Sequence, residues 1–434
     1  MKNHSGDART IPDPKRSSIA RPISAWRKLL CRRLALCCFA LCTTLCAADK
    51  FHGGAELDPA QKARTASDLE LTEQTFLQAI RTPMRDGMDV EKALAAWLQV
   101  RCAEGEMLPD DAIKILMDGM ATIADAKPLP QAQWPVNPTD VAFQLHETVK
   151  LATFDDIECR IVEFEVDDLT QYGVVFTPRR EGEFPLILYL HGAAFGVPVY
   201  SMPWLAELSR TGYVVVAPAL RGEDLFTQRL RNQPEYVCEG KIENLDGEVN
   251  DALAMVDGAF KLPAVKPGKF AVVGHSFGSG VGLLVTARAG DQVAVTISYD
   301  AWFTNPFRYY WDRMRRGANN WLSWEEYLEL PSAEQLPGLM RRSVVHNTAG
   351  IQAPMLLFIG GRYAGSVFHD THEHLVDQLK AGGKTYVYDV VPGGGHNFVL
   401  YEDSEPAKYA YGVQMEWLQK YHAANPAPEP ANPE

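Results

Sequence analysis

The chain has 434 residues, 46% hydrophobic and 22% charged, with a formal net charge of −13. That composition suits one large globular domain with an added piece, and it excludes a disordered or fibrous chain. Residues 1–48 hold nine Lys and Arg against two Asp, so the remainder carries −20. So acidic a body offers no basic face, and no nucleic-acid partner is expected.

The basic start runs into an apolar stretch over 34–48 that ends in small residues. This predicts a signal peptide over 1–48 and an exported protein, periplasmic or secreted. The stretch is shorter than the roughly 20 residues of a membrane span. No stable membrane insertion is therefore expected after cleavage, an uncleaved anchor being the competing reading. Five of the eight Cys lie in this segment. Cys102, Cys159 and Cys238 remain, an odd number without metal spacing, which predicts buried free thiols.

Residues 49–140 read as a helical segment and a linker. Apolar residues recur at helical spacing (Leu71, Phe76, Leu77, Ile80), and Pro128, Pro130, Pro135 and Pro138 mark the linker. From 141 the pattern turns to short β-rich runs. Residues 141–151, 157–166 and 172–176 predict antiparallel strands. Buried strands follow at 185–190 and 213–217, separated by a helix near 203–210, and a long helix spans 244–260. An apolar strand from Phe270 running into Gly274-x-Ser276-x-Gly278, its helix, and a strand at 293–299 come next. Residues 301–350 interrupt the alternation as an insert. It resumes with a strand at 354–359, a helix at 369–381, a strand at 385–391 and a helix at 406–421. Strands alternating with helices predict an α/β domain over 141–423, with a mostly parallel central sheet and helices on both faces. The Pro-rich tail, 424–434, reads as disordered.

The most informative run is Gly274-His275-Ser276-Phe277-Gly278. It follows an apolar strand and precedes small and apolar residues. That is the order a nucleophile elbow needs, with Ser276 at the tip of a strained turn and glycines where a Cβ would collide. An activated serine also needs a base, an acid to orient the base, and donors for the oxyanion. His396 fits the base: it lies in a Gly-rich loop between a strand and the last helix. The oxyanion donors are assigned as the Phe277 amide and, in the His191-Gly192-Ala193 loop after an early strand, the Ala193 amide. The acid is assigned to Asp300, which ends the strand 24 residues past Ser276, with Asp370 as the alternative.

His369-Asp370-Thr371-His372-Glu373-His374 resembles a metal cluster, but its spacing favours a solvated helix start, and no metal is assigned. Ten aromatics lie between Tyr299 and Tyr327, interleaved with four Arg. They read as a helical insert with its own small core or as a lid. In the lid reading Tyr299, Trp302 and Phe303 are substrate-contact candidates.

With these residues in hand, the chain from about 141 to 421 resembles the α/β-hydrolase superfamily. Within it the resemblance is to the prolyl-oligopeptidase and dienelactone-hydrolase-like group. It is carried by Leu188-Tyr-Leu-His-Gly192, Leu220-Arg-Gly222, the Gly274–Gly278 elbow, Ala353-Pro-Met-Leu-Leu-Phe358 and Gly395-His396. No acid follows the 354–359 strand, which departs from that group. The pairing of Gly274-His-Ser-Phe-Gly278 with Asp300-Ala-Trp302 is similar to platelet-activating-factor acetylhydrolases. That resemblance implies a triad of Ser276, Asp300 and His396 with Ala193 and Phe277 as donors. The expectation is a serine hydrolase for small-molecule carboxylic esters that calls on no cofactor. An exopeptidase and a non-catalytic binding protein on the same scaffold are the competing readings.

Overall fold

The computed structural model describes residues 9–11, 132–193, 196–227, 236–306, 336–363, 367–400 and 403–425. The predicted signal apart from 9–11, the helices over 55–127, the insert aromatics from Phe307 to Tyr327, Cys102 and residues 426–434 lie outside the described residues.

Ten strands form one sheet in the order β1-β2-β3-β4-β6-β5-β7-β8-β9-β10. The short β1 (Arg9–Ile11) lies parallel to β2 (Gln144–Leu151) at one edge. It falls inside the predicted signal, so cleavage after Ala48 would leave a nine-stranded sheet. β2, β3 (Ile157–Val166), β4 (Leu169–Pro178) and β6 (Val214–Pro218) pair antiparallel. From β6 onward every pairing is parallel, through β5 (Phe184–Leu190), β7 (Val265–His275), β8 (Val293–Tyr299), β9 (Met355–Gly360) and β10 (Tyr386–Val391).

Alternation along each central strand builds two cores. Leu186, Leu188 and Leu190 face one side, where they meet α2 (Gly247–Ala259), α3 (Ser276–Ala289) and α5 (Val367–Ala381). Ile187 and Tyr189 face the other, against α1 (Met202–Arg210) and α6 (Glu405–Tyr421). All seven residues of β5 are buried, as a central parallel strand requires. Each of its fully buried leucines contributes about 2 kcal/mol.

The helix expected from 244 begins at Gly247. Asn244 and Leu245 take left-handed φ values of 56° and 72°. The Glu248 carboxylate accepts the main-chain N–H groups of Glu243 (2.6 Å), Asn244 (3.1 Å) and Asp246 (3.1 Å), folding the preceding loop back onto the first turn. The Leu220-Arg-Gly222 motif packs against the same region. Buried Arg221 donates to Asp251 (2.7 Å), Asp167 (2.7 Å) and Glu243 (3.0 Å). The insert returns through α4 (Leu336–Arg342), where Arg341 pairs with Asp246 at 2.7 Å.

Asn425, expected in the disordered tail, is instead held. Its N–H donates to Gly212 O at 3.1 Å, its side chain donates to Glu183 O at 3.0 Å, and its carbonyl accepts from Arg180. Cys159 and Cys238 are buried free thiols. Among the described residues no helix is long and apolar enough to cross a membrane.

Candidate active site

Ser276 stands where β7 turns into α3, at φ 52°. Left-handed backbone is costly for a serine and marks a turn held by its surroundings. The flanking glycines make that turn sterically possible. A Cβ on Gly274 would stand 2.7 Å from Ser279 Cα, and one on Gly278 would stand 2.3 Å from His191 O. The hydroxyl is thereby presented to His396: Ser276 Oγ lies 2.7 Å from His396 Nε2.

His396 sits in the turn after β10, where Gly393 takes φ 71°. The Phe368 ring packs against it edge to face at 5.2 Å, and the His275 ring lies at 5.4 Å. Burial, then the neighbouring His275 and His372, push its pKa from 6.5 down to about 3. The imidazole is therefore neutral at rest, with a lone pair available to the serine proton.

Asp300 follows the last residue of β8 and is fully buried, at φ 47°. Its N–H donates to Phe358 O at 2.9 Å, and its Oδ1 accepts the Gly360 N–H at 2.7 Å. Its Oδ2 lies 4.0 Å from His396 Nδ1, a close electrostatic approach longer than a hydrogen bond. Burial holds the carboxyl well above the usual range, opposed by the Gly360 hydrogen bond. The alternative acid, Asp370, is in the first turn of α5.

The loop after β5 abuts Ser276. A Cβ on Gly192 would stand 3.4 Å from Ser276 Cβ and 2.8 Å from His275 Nδ1. His191, wholly buried, keeps Nε2 3.2 Å from Glu223 Oε2. Burial lowers its pKa, the Glu223 charge raises it, and the net shift is upward. Ala193, next in the loop, is exposed, while Phe277 is buried at the start of α3.

The three aromatic candidates make packing contacts. Tyr299, 1% exposed, lies on the opposite face of the sheet from Phe277. It stacks on Phe358 at 5.0 Å and donates its hydroxyl to Gln414 at 2.8 Å. Trp302 and Phe303 stack at 4.8 Å, and Trp302 leans on Phe277 at 5.6 Å. Phe303 is fully buried and Trp302 6% exposed, so neither offers an open ring. The reason is local: the Trp302 N–H donates to Ser276 O at 2.9 Å, which turns the chain inward.

The His369–His374 segment is not the solvated helix start its composition suggests. His372 is fully buried and donates Nδ1–H to Phe368 O at 2.7 Å. His374, also buried, meets Asn305 Nδ2 at 3.0 Å. These side chains face the insert and the base, which the residue types alone do not reveal. His369 pairs with Glu373 at 3.5 Å. Among the described residues no group of three or more His, Cys, Asp or Glu is placed to hold a metal.

Two participants escaped the sequence reading. Gly360 N–H holds the Asp300 carboxylate. His275 Nε2 donates to the His396 carbonyl at 2.9 Å. A small cleft of about 30 Å³ opens beside His275, walled by Tyr189, Trp204, Tyr299 and Leu400 among others. The position of a polar residue at the last step of an apolar strand was the available signal for His275.

The sequence profile of the prolyl oligopeptidase family matches residues 200–424. Among solved structures, the chain is similar to acetyl xylan esterase 1 from Thermoanaerobacterium sp. JW/SL YS485. The identity is 16%, over 72% of this chain and 94% of that one, with a TM-score of 0.47. It is also similar to the acylaminoacyl peptidase of Pyrococcus horikoshii, at 19% identity and a TM-score of 0.46. That likeness covers 64% of this chain but only 44% of the peptidase. No curated protein matches. With over half of its length in the family match and this sheet order, the chain belongs to the prolyl oligopeptidase family, serine hydrolases of the α/β-hydrolase fold.

Proposed function

We propose that this hydrolase cleaves small-molecule carboxylic esters through an acyl-enzyme on Ser276. The observation that carries the reading is the 2.7 Å contact between Ser276 Oγ and His396 Nε2, made from a left-handed elbow. His396 Nε2 takes the hydroxyl proton as Oγ attacks the ester carbonyl. The amides of Phe277 and Ala193 receive the negative charge on the carbonyl oxygen. The tetrahedral adduct collapses, the C–O bond to the alcohol breaks, and His396 returns the proton to the departing oxygen. Water then enters by the same route, with His396 as base, and releases the carboxylic acid. Asp300 stabilises the imidazolium formed in each half-reaction.

Asp300 supports that imidazolium from 4.0 Å, and burial disfavours the charge on both groups. An ester is the easier substrate for such a site, since its alkoxide leaves more readily than an amine. The family match supports a second reading, a peptidase. The signal-like residues 1–48 support action outside the cytoplasm, which N-terminal sequencing of the exported protein tests.

Fluorophosphonate labelling of wild type and Ser276→Ala, followed by p-nitrophenyl esters of increasing chain length and matched p-nitroanilides, tests the reading. Labelling lost in the variant and ester turnover well above anilide turnover are expected. Anilide turnover equal to or above ester turnover favours the peptidase. A folded protein that never labels favours the binding scaffold.

A further inference from the structure

We propose that His275 is a positioning residue for the base. Its imidazole ties the turn carrying His396 to the end of the strand before Ser276 and lies against the loop after β5. The inference rests on the reading of Ser276 and His396 as nucleophile and base.

A carbonyl oxygen only accepts, so the 2.9 Å contact to His396 O requires the proton on His275 Nε2. Burial pushes the His275 pKa down to about 4, which keeps the ring neutral and leaves Nδ1 as an acceptor. That second edge faces Gly192, whose backbone runs so close that a Cβ would stand 2.8 Å away. One buried ring therefore sits between the loop that bears Ala193 and the turn that bears His396, with Ser276 as its chain neighbour.

The turn is also tied at Gly394, whose carbonyl accepts the Arg362 N–H at 3.1 Å, and the His275 contact is the tether at the His396 carbonyl itself. His396 follows Gly393, Gly394 and Gly395, which restrict the backbone little by themselves. The Asp300 carboxylate stands 4.0 Å from the ring and does not fix it by a hydrogen bond. The tether at the His396 carbonyl holds the backbone from which the imidazole reaches Ser276 Oγ. A displacement near 1 Å there is enough to cost about 100-fold in rate. A neutral donor also suits the place. A lysine or arginine beside the base would oppose the positive charge that His396 acquires during proton transfer.

The test compares His275→Leu, which removes the donor at similar bulk, with His275→Gln, which restores an N–H. Fluorophosphonate labelling rate, kcat and KM on p-nitrophenyl acetate, and Tm are measured for each. Loss of a buried hydrogen bond and slackening of the turn are expected to lower labelling rate and kcat by about tenfold or more in His275→Leu. KM should change little, and His275→Gln should recover most of the loss. Imidazole added to His275→Ala gives a second route if the leucine variant does not fold, and rescue of labelling is expected. Full activity in His275→Leu overturns the inference, as do equal losses in folded Leu and Gln variants or no imidazole rescue in a folded His275→Ala. A wild type that never labels overturns the reading of Ser276 and the inference with it. A labelling wild type with an unaffected leucine variant overturns the inference alone.

Discussion

The carboxylate of Asp300 accepts the main-chain N–H of Gly360 at 2.7 Å, so the acid that ends β8 is held by the backbone that ends β9. The strand whose end carries no acid of its own still contributes to holding one. Its residue there is glycine for a reason of space: a Cβ on Gly360 would stand 2.7 Å from Gly394 O, in the turn that carries His396.

Asp300→Asn keeps an oxygen for the Gly360 N–H and removes the charge that supports the imidazolium. Turnover should fall by roughly 10³-fold or more, with Tm within a few degrees of wild type. Asp370→Asn, in the first turn of α5, should leave kcat unchanged. Steady-state kinetics on a p-nitrophenyl ester decides between them, and a loss confined to the Asp370 variant removes Asp300 from the triad.

The pH profile follows from the depressed pKa of His396. The base works when neutral, so its own part in kcat/KM is lost as pH drops through the folded value, pushed from 6.5 down to about 3. The acid limb should therefore lie clearly below pH 6.5. A limb at or above 6.5 in a pH–rate series would show that Asp300 outweighs burial.

Glu248 supplies a stability signature. Burial raises its pKa from 4.5 to about 7. Between those values the folded state keeps a proton that the unfolded chain releases, so its contribution to stability falls as pH rises through the window. The amount is on the order of 3 kcal/mol. Glu248→Gln does not titrate, so the Tm of wild type should drop relative to the variant between pH 4.5 and 7. Parallel Tm curves would refute the assignment.

Gly278 and Gly412 make a matched pair. A Cβ at 278 would stand 2.3 Å from His191 O, whereas one at 412 meets nothing within 4 Å. Gly278→Ala should cost about 3 kcal/mol or more, since the obstacle is backbone. Gly412→Ala, inside α6, should stabilise by about 0.5–1 kcal/mol. Thermal melts of both variants test the packing of the elbow.

Periodicity and punctuation carried the fold in sequence. Each strand and helix from 141 to 421 that lies among the described residues appears in its expected order, because apolar strands and Gly or Pro breaks are local signals. Ser276 and His396 stood out for the same reason. What the sequence hid depends on contacts between distant segments. The left-handed turn at Asn244 and Leu245 is set by Glu248, the burial of His372 and His374 by the insert and the base, and the anchoring of Asn425 by Gly212. Trp302 and Phe303 are buried against Phe277 and each other, a packing that aromatic content alone does not reveal.

Ser276 and Asp300 directly follow adjacent parallel strands, and the Trp302 N–H donates to Ser276 O just beyond them. In the proposed triad, nucleophile and acid thus come from one stretch of chain, 24 residues apart, and the base arrives from elsewhere. The end of β9 and the turn after it give the site backbone amides: the Gly360 N–H holds Asp300, and the Arg362 N–H donates to Gly394 O at 3.1 Å in the turn that carries His396. The proposed triad gives no role to a side chain at this strand end, so substitutions at this rim are expected to retune substrate choice without touching the reacting groups.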